Sequence, residues 1–170
     1  MVTVIKVTDA GLGLLAWPGG QVRCAIGRSG ISVAKREGDG ATPAGEFPLR
    51  HLLYRPDRLV IPLTGLAVAE LRPDDCWCDD PDHPDYNQPV SLPFAASHER
   101  MWRDDGLYDV VVVLGHNDRP PVPGLGSAIF LHVVRPGYEP TEGCVALALP
   151  DLLRLVECCD ENTILVIAAA

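Results

Sequence analysis

Short apolar stretches alternate along the chain with breaks rich in glycine, proline and aspartate, a pattern that predicts a sheet-rich protein. Valine and isoleucine, which favour extended backbone, are concentrated in these stretches. The predicted strands cover residues 2–7, 13–17, 22–26, 46–54, 109–115, 127–134 and 163–168. Residues 109–115 form an almost continuous valine run, which indicates a central strand buried on both faces.

One segment near the C-terminus has helical periodicity. Pro150 suits the first turn of a helix, and one stripe at helical spacing carries Leu152, Leu155, Val156 and Cys159. We therefore predict a helix over residues 149–159. The sequence contains no linker and no internal repeat, so we expect one mostly β domain over residues 1–170.

Composition and charge narrow the function classes. Hydrophobic residues make up 47% and charged residues 22% of the chain, the balance of an ordinary soluble domain. The net charge is −9, and no run of lysine or arginine exceeds two residues. We expect no nucleic-acid partner, because phosphate binding needs a basic surface. The apolar runs are too short for a bilayer-spanning helix, so no membrane insertion is expected.

The N-terminal residues do not show the basic start, apolar stretch and cleavage site of a secretory leader. We therefore expect a cytoplasmic protein, with a periplasmic location as the alternative if a leader has been removed. The six cysteines agree with this expectation as free thiols, since a domain of this length does not need disulfides to fold.

Residues 72–93 are rich in proline, aspartate and aromatic residues and have no periodicity, which predicts a long loop. Cys76 and Cys78 in this loop raise the question of zinc. Paired zinc-binding cysteines usually have at least two residues between them, and a matching second pair is absent, so we expect no metal. We expect instead that Trp77 and Tyr86 shape a binding groove, with their rings against a ligand.

Cys144 and His132 are the candidate catalytic pair. His132 lies towards the end of a predicted strand, and Cys144 follows a turn and begins the next apolar segment, so two strand ends could bring them together. A neighbouring imidazole is what converts a cysteine thiol into a nucleophile near neutral pH. Gly143 permits a tight turn, and we expect the Gly143 and Cys144 amides to face a common oxyanion. The alternative is a buried cysteine and a core histidine without catalytic roles.

Three ordered motifs resemble those of the L,D-transpeptidase catalytic domain, also called the YkuD-type domain. They are Thr-Pro-Ala-Gly-Glu-Phe at residues 42–47, the strand with His132, and Thr-Glu-Gly-Cys-Val at residues 141–145. The resemblance covers most of the chain and implies an L,D-transpeptidase-type β-sandwich with one or two short helices. Two positions differ from the family pattern. Thr141 replaces the usual serine but keeps a hydroxyl, and Ala146 stands where the family usually has arginine.

The resemblance implies that the Cys144 thiol forms a thioester with diaminopimelate in a peptidoglycan tetrapeptide stem and releases D-alanine. Transfer to an amine would make the protein an L,D-transpeptidase, and transfer to water would make it an L,D-carboxypeptidase. Because Ala146 cannot bind a carboxylate and no leader is recognised, we predict hydrolysis of recycled muropeptides. Cross-linking of stems and a non-catalytic module that binds stem peptides are the alternatives. We expect no cofactor, and the sequence leaves the oligomeric state open.

Substrate contacts are predicted for Thr141 and Glu142 beside the nucleophile. They are also predicted for His116 and Asn117 after the valine run, with local hydrogen bonding in a loop as the alternative. The carboxylates of a stem peptide need a cation, and a bidentate arginine suits them better than Lys35. The cationic candidates, each of which could instead be a surface residue, are Arg28, Arg36 and Arg135.

Overall fold

The computed structural model describes residues 1–6 and 11–169, and strands dominate it. The strands in these ranges are β1 (Val2–Lys6), β2 (Leu12–Trp17), β3 (Gly20–Ala25), β4 (Ile31–Ser32), β5 (Thr42–Pro43), β6 (Gly45–Tyr54), β7 (Val68–Glu70), β8 (Asp75–Cys78), β9 (Pro89–Ser91), β10 (His98–Arg100), β11 (Val110–Leu114), β12 (Phe130–Val133), β13 (Val145–Leu147) and β14 (Ile164–Ala168). The helical elements of the same ranges are α1 (Leu149–Glu157) and a 3-10 turn (Pro136–Tyr138). The prediction of a mostly β fold with little helix is confirmed.

All seven predicted strands are present, with ends shifted by up to three residues. Residue 7, which was predicted to end the first strand, lies outside the described residues. The strands β4, β5, β7, β8, β9, β10 and β13 were not predicted. Each has between two and four residues, which is too few for a period of two to be recognised.

The largest sheet closes on itself. Its strand order is β11-β12-β13-β3-β2-β1-β14-β6-β7, and β6 also pairs with β11. The long strand β6 makes this closure possible, because Gly45–Pro48 pairs with β14 while Leu49–Tyr54 pairs with β11. Closure pairs the edges that an open sheet would expose. In this order β12 and β13 are direct neighbours, next to β11.

The valine run of β11 is buried on both faces, as predicted. Val110, Val112 and Leu114 belong to the larger apolar cluster, which also includes the buried face of α1. Val111 and Val113 belong to a smaller cluster on the opposite face. The sheet around β11 and β12 therefore lies between two apolar layers, in agreement with the sandwich-like arrangement predicted from the resemblance.

The prediction of a long loop over residues 72–93 is wrong. The strands β8 and β9 lie in this segment and form a three-stranded sheet with β10. This small sheet covers the smaller apolar cluster, where Trp77 packs edge-on against Phe130 with 5.2 Å between ring centroids. Trp77 and Tyr86 are both buried and do not form the groove wall that the sequence predicted. Their polar atoms bond inside the protein, since the indole N–H donates to Asn87 and the phenol donates to Glu37.

The predicted helix is confirmed with its end two residues earlier. Pro150 lies in its first turn, and Leu152, Leu155 and Val156 are fully buried against the larger apolar cluster. In the ranges that the structure describes, the chain forms no helix with the length and hydropathy needed to cross a bilayer.

Candidate active site

The candidate nucleophile and base lie on one face of two neighbouring strands. β12 and β13 pair in parallel, with His132 opposite Ala146. Side chains alternate between the faces of a strand, so Cys144, two residues before Ala146, shares a face with His132. Both side chains line one cavity of about 780 Å³. The fold thus brings together the two residues that the sequence paired.

The Cys144 residue is only 8% exposed. Its Sγ donates a hydrogen bond to the Ala128 carbonyl oxygen at 3.2 Å and accepts one from the Phe130 amide at 3.3 Å. Burial raises the pKa of the Cys144 thiol to about 12, and the negative charge of Glu99 adds to this increase. The free protein therefore holds Cys144 as a thiol at neutral pH.

The imidazole of His132 is neutral. Burial lowers the pKa of His132 to about 4, and Nδ1 lies 2.8 Å from the Val133 carbonyl oxygen. A neutral imidazole with Nδ1 facing a carbonyl carries its proton on that nitrogen, which leaves the Nε2 lone pair as a proton acceptor. The ring of Tyr108 packs edge-on against the imidazole, with 5.3 Å between centroids, and restricts its orientation.

The pair rests as thiol and imidazole rather than as thiolate and imidazolium. Within the part of the chain that the structure describes, Sγ of Cys144 bonds to backbone groups and has no hydrogen bond to His132. Catalytic hydrogen bonds often tighten only when substrate is bound. For this pair to act as nucleophile and base, proton transfer from the thiol to the imidazole would therefore have to accompany attack on a bound carbonyl.

Thr141 holds the turn that precedes the nucleophile. Its Oγ1 donates to the Cys144 carbonyl oxygen at 2.6 Å and accepts from the Gly143 amide at 3.1 Å. The expectation that the Gly143 amide faces an oxyanion is wrong, because this N–H already has Thr141 as its acceptor. The hydroxyl of Thr141, predicted as a substrate contact, is used within the turn, although the residue also lines the cavity.

The motif at residues 42–47 supports this turn through hydrogen bonds. Thr42 is fully buried, and its Oγ1 accepts from the Gly27 amide at 2.8 Å. On either side of Gly27, the Arg28 amide donates to the Thr141 carbonyl oxygen and the Thr141 amide donates to the carbonyl oxygen of Ile26. A continuous set of hydrogen bonds therefore runs from this motif to the residue that holds the nucleophile in place.

Replacing Gly143 by alanine is expected to lower stability and activity together. Gly143 has a φ of +144°, and a Cβ there would lie 2.9 Å from the Ala41 carbonyl oxygen. Strain of this kind costs about 1–3 kcal/mol of the free energy of unfolding. Relief of the contact would displace Cys144. Chemical denaturation measures the first effect, and turnover of a peptide substrate measures the second.

Gly124→Ala is the matched control for that substitution. Gly124 has a φ of +78°, but a Cβ there would meet nothing within 4 Å. This variant therefore carries backbone strain without a steric contact and is expected to keep its activity. Equal losses of activity in the two variants would show that the contact with Ala41 is unimportant.

Arg135 is the predicted carboxylate-binding arginine that reaches the cavity. Among the residues described, it forms no ion pair, whereas the neighbouring Arg103 is paired with Asp105 at 2.5 Å. Arg28 does not line the cavity. Its guanidinium pairs with the Glu142 carboxylate at 2.9 Å on the exposed rim, so it reaches the site only through Glu142, which does line the cavity.

His116 and Asn117 do not line the cavity of the nucleophile. His116 lines a separate depression of about 260 Å³, as Arg36 does, and its Nε2 lies 3.0 Å from the Leu125 carbonyl oxygen. The Asn117 side chain donates to two carbonyl groups and accepts from one amide of the loop that follows β11. These hydrogen bonds correspond to the loop role considered as an alternative from the sequence.

Much of the cavity lining was not predicted as part of the site, and three of these residues influence the thiol of Cys144 or lie against its pair: Lys35, Glu99 and Tyr108. The Tyr108 hydroxyl donates to the Glu99 carboxylate, and burial raises the pKa of both groups. All three lie far from Cys144 in the chain, and Lys35 also lies far from the other two. Since each is isolated from any motif in the sequence, only the tertiary structure places them beside Cys144.

The family model for the L,D-transpeptidase catalytic domain matches residues 3–167 of the chain. Among solved structures, an L,D-transpeptidase from Mycobacterium smegmatis is similar, with 12% sequence identity and a TM-score of 0.42. The match covers 99% of this chain and 58% of that chain, so this chain spans little more than half the length of its relative. No curated protein matches the sequence.

Proposed function

The chain belongs to the L,D-transpeptidase catalytic domain family, and we propose that it cleaves the bond between diaminopimelate and terminal D-alanine in peptidoglycan tetrapeptide stems. The observation that carries this proposal is the placement of Cys144 and a neutral His132 on one face of β12 and β13, at a single cavity. A cavity of about 780 Å³ has the size of a ligand site and can take a short peptide segment.

The proposed reaction begins with attack of Cys144 Sγ on the carbonyl carbon of diaminopimelate. A C–S bond forms, the π electrons move to the carbonyl oxygen, and the thiol proton passes to Nε2 of His132. Collapse of the oxyanion re-forms the carbonyl and breaks the C–N bond, and the departing amine of D-alanine takes the proton from His132. The resulting thioester is then attacked by the acceptor, which releases Cys144.

We assign the carboxylate of the terminal D-alanine to Arg135. This guanidinium lines the cavity and has no acidic partner among the described residues, and a planar guanidinium binds a carboxylate through two parallel hydrogen bonds. Glu142, on the same cavity, is our candidate contact for an ammonium group of the substrate, with Arg28 holding its carboxylate at the rim.

Water is the acceptor that we favour. Ala146 lies directly opposite His132 in the register of β12 and β13 and lines the cavity. Its methyl group takes up little of the space beside the imidazole, where an arginine is usual in the family. A water molecule there would be within reach of the base that must activate it. This supports an L,D-carboxypeptidase that trims muropeptides, for which we propose a cytoplasmic location, testable by cell fractionation.

Product analysis separates the candidate activities. Disaccharide tetrapeptide is incubated with the protein, with and without a second stem as amine acceptor, and the products are identified by mass spectrometry. We expect free D-alanine and a tripeptide stem in both reactions. Cross-linked dimers in the second reaction would instead indicate a transpeptidase, and binding without any product would indicate a non-catalytic module.

A further inference from the structure

Lys35 is a charged side chain buried beside the nucleophile, with 8% of the residue exposed. Lysine is rarely buried to this degree unless it is paired. Its Nζ donates to the Arg36 carbonyl oxygen at 2.9 Å and to the Asp39 carboxylate at 2.5 Å. That carboxylate also accepts the backbone N–H groups of Arg36 and Ala41. The ion pair is therefore held rigidly by the glycine-rich segment.

The ammonium group lies next to the turn that carries Cys144. A Cβ added at Gly143 would be 3.6 Å from Nζ of Lys35, and both Lys35 and Cys144 line the large cavity. The aliphatic part of the lysine packs closely on Gly126, where a Cβ would be 3.1 Å from its Cγ and Cε. The packing of these methylene groups and the hydrogen bonds of Nζ hold the positive charge near Cys144.

The donors available to an oxyanion at this site are few. The Gly143 amide is used by Thr141, and the Cys144 amide has no acceptor among the residues described. One backbone donor therefore remains at the nucleophile. Acyl-transfer sites generally direct two or more donors at the developing oxyanion. An ammonium has three N–H donors, and two of those on Lys35 are occupied.

We propose that Lys35 is the second donor, and that its Nζ binds the oxyanion together with the Cys144 amide and stabilises negative charge on the sulfur. As the C–S bond forms, the thiol proton goes to His132 and the π electrons go to the carbonyl oxygen. Lys35 keeps its proton throughout. The identity of the carbonyl substrate rests on the proposed function, whereas the effect on the sulfur does not.

The charges that face Cys144 agree with this assignment. The positive charge of Lys35 lowers the pKa of the thiol, while burial and the carboxylate of Glu99 raise it. Tyr108 and the neutral His132 are also titratable groups of the cavity lining, and Arg103 adds a positive charge 3.8 Å from the Glu99 carboxylate. Loss of the lysine charge would remove one of the positive charges that offset Glu99 next to a developing anion.

The test combines alkylation of Cys144 with turnover. Iodoacetamide reacts with the thiolate, so its rate at Cys144, followed by peptide mass spectrometry over a pH series around pH ~9, reports how readily the thiol ionises. In Lys35→Met we expect this rate to fall about tenfold or more. We also expect kcat for D-alanine release to fall about 10²–10³-fold with little change in KM. Lys35→Arg should recover part of both losses.

Asp39→Asn distinguishes charge from a structural role of the same ion pair. It breaks the pair but keeps the lysine charge, so alkylation of Cys144 should be as fast as in the wild type or faster. Equal slowing in Lys35→Met and Asp39→Asn, or no slowing in Lys35→Met, would overturn the proposal. Arg154→Met removes an exposed cation on α1 and should leave the alkylation profile unchanged.

Two further outcomes need their own measurements: a Lys35→Met variant that does not fold, and a wild type that releases no D-alanine. If Lys35→Met does not fold, as judged by thermal unfolding, the double variant with Asp39→Asn removes the unpaired carboxylate and takes its place. If the wild type releases no D-alanine but Lys35→Met still slows alkylation, the proposed substrate is wrong while the role of Lys35 at the sulfur is upheld.

Discussion

Replacement of Cys144 by alanine is expected to reduce D-alanine release to the uncatalysed background. The variant cannot form the thioester. In a serine protease, loss of the covalent nucleophile reduces kcat on the order of a millionfold. The Cys144 thiol bonds only to backbone groups of Ala128 and Phe130 among the described residues, so the fold should persist. Release of D-alanine from disaccharide tetrapeptide, measured by chromatography, checks the rate, and thermal unfolding checks the fold.

Cys158→Ala is the control for this substitution. Cys158 is an exposed free thiol at the end of α1, away from the cavity, and its loss should leave turnover unchanged. Intact-mass analysis of the wild type during turnover should also show an acyl adduct that is absent from Cys144→Ala. Undiminished release by Cys144→Ala would rule out this cysteine as the nucleophile.

The second large effect is expected for His132→Ala, which should lower kcat by about 10²–10⁴-fold, the contribution of a positioned general base. Without His132, the thiol proton has no acceptor, and burial makes spontaneous ionisation of Cys144 unfavourable. His51→Ala is the matched control, because His51 is partly buried and lies on β6, outside the cavity lining. Comparable losses in the two variants would argue against a specific role for His132.

The pH profile of the wild type tests the same assignment. Because burial lowers the pKa of His132 to about 4, the imidazole is an unprotonated base above that pH and loses this capacity below it. The acid limb of kcat/KM should therefore lie near pH ~4 rather than near the ordinary histidine value of about 6.5. An acid limb near 6.5 would contradict a buried neutral base.

Unfolding of the protein at acid pH has to be distinguished from the loss of activity caused by protonation of His132. The folded pKa of His132 lies below its unfolded value, so the unfolded state binds the proton more readily. The contribution of His132 to stability is therefore lost as the pH falls from about 6.5 towards about 4. Circular dichroism at each pH shows whether the fold persists where the initial rate declines.

Secondary structure was predictable where an element is long enough to show its period. The strand β11 and the helix α1 were found with nearly correct ends, because five valine and leucine residues and a four-position apolar stripe leave little ambiguity. The strands β8, β9 and β10 were missed, since three or four residues do not define a period. Their stability comes from cross-strand pairing and from burial of Trp77 against Phe130, which are not local properties.

Some residues of the candidate site were predictable from the sequence, and others were placed wrongly. Cys144 and His132 lie in recognisable motifs, and the sequence predicted that two strand ends could bring them together. The parallel register of β12 and β13, which was not predicted, is what places them on one face. His116 and Asn117 also stood out in the sequence, but their side chains are turned to a different depression or to their own loop. A motif identifies residue types at a spacing, whereas the direction of a side chain depends on the register and on neighbouring loops.

The sequence by itself determined the mostly β class and the helix after Cys144, and it singled out Cys144 and His132 as the candidate pair. These follow from local periodicity and from contiguous motifs. The tertiary structure alone decided that the pair rests uncharged, that the Gly143 amide is used by Thr141, and that the ammonium of Lys35 lies beside the turn. The reason is physical: desolvation, hydrogen-bond competition and charge proximity depend on distances between segments that are far apart in the chain.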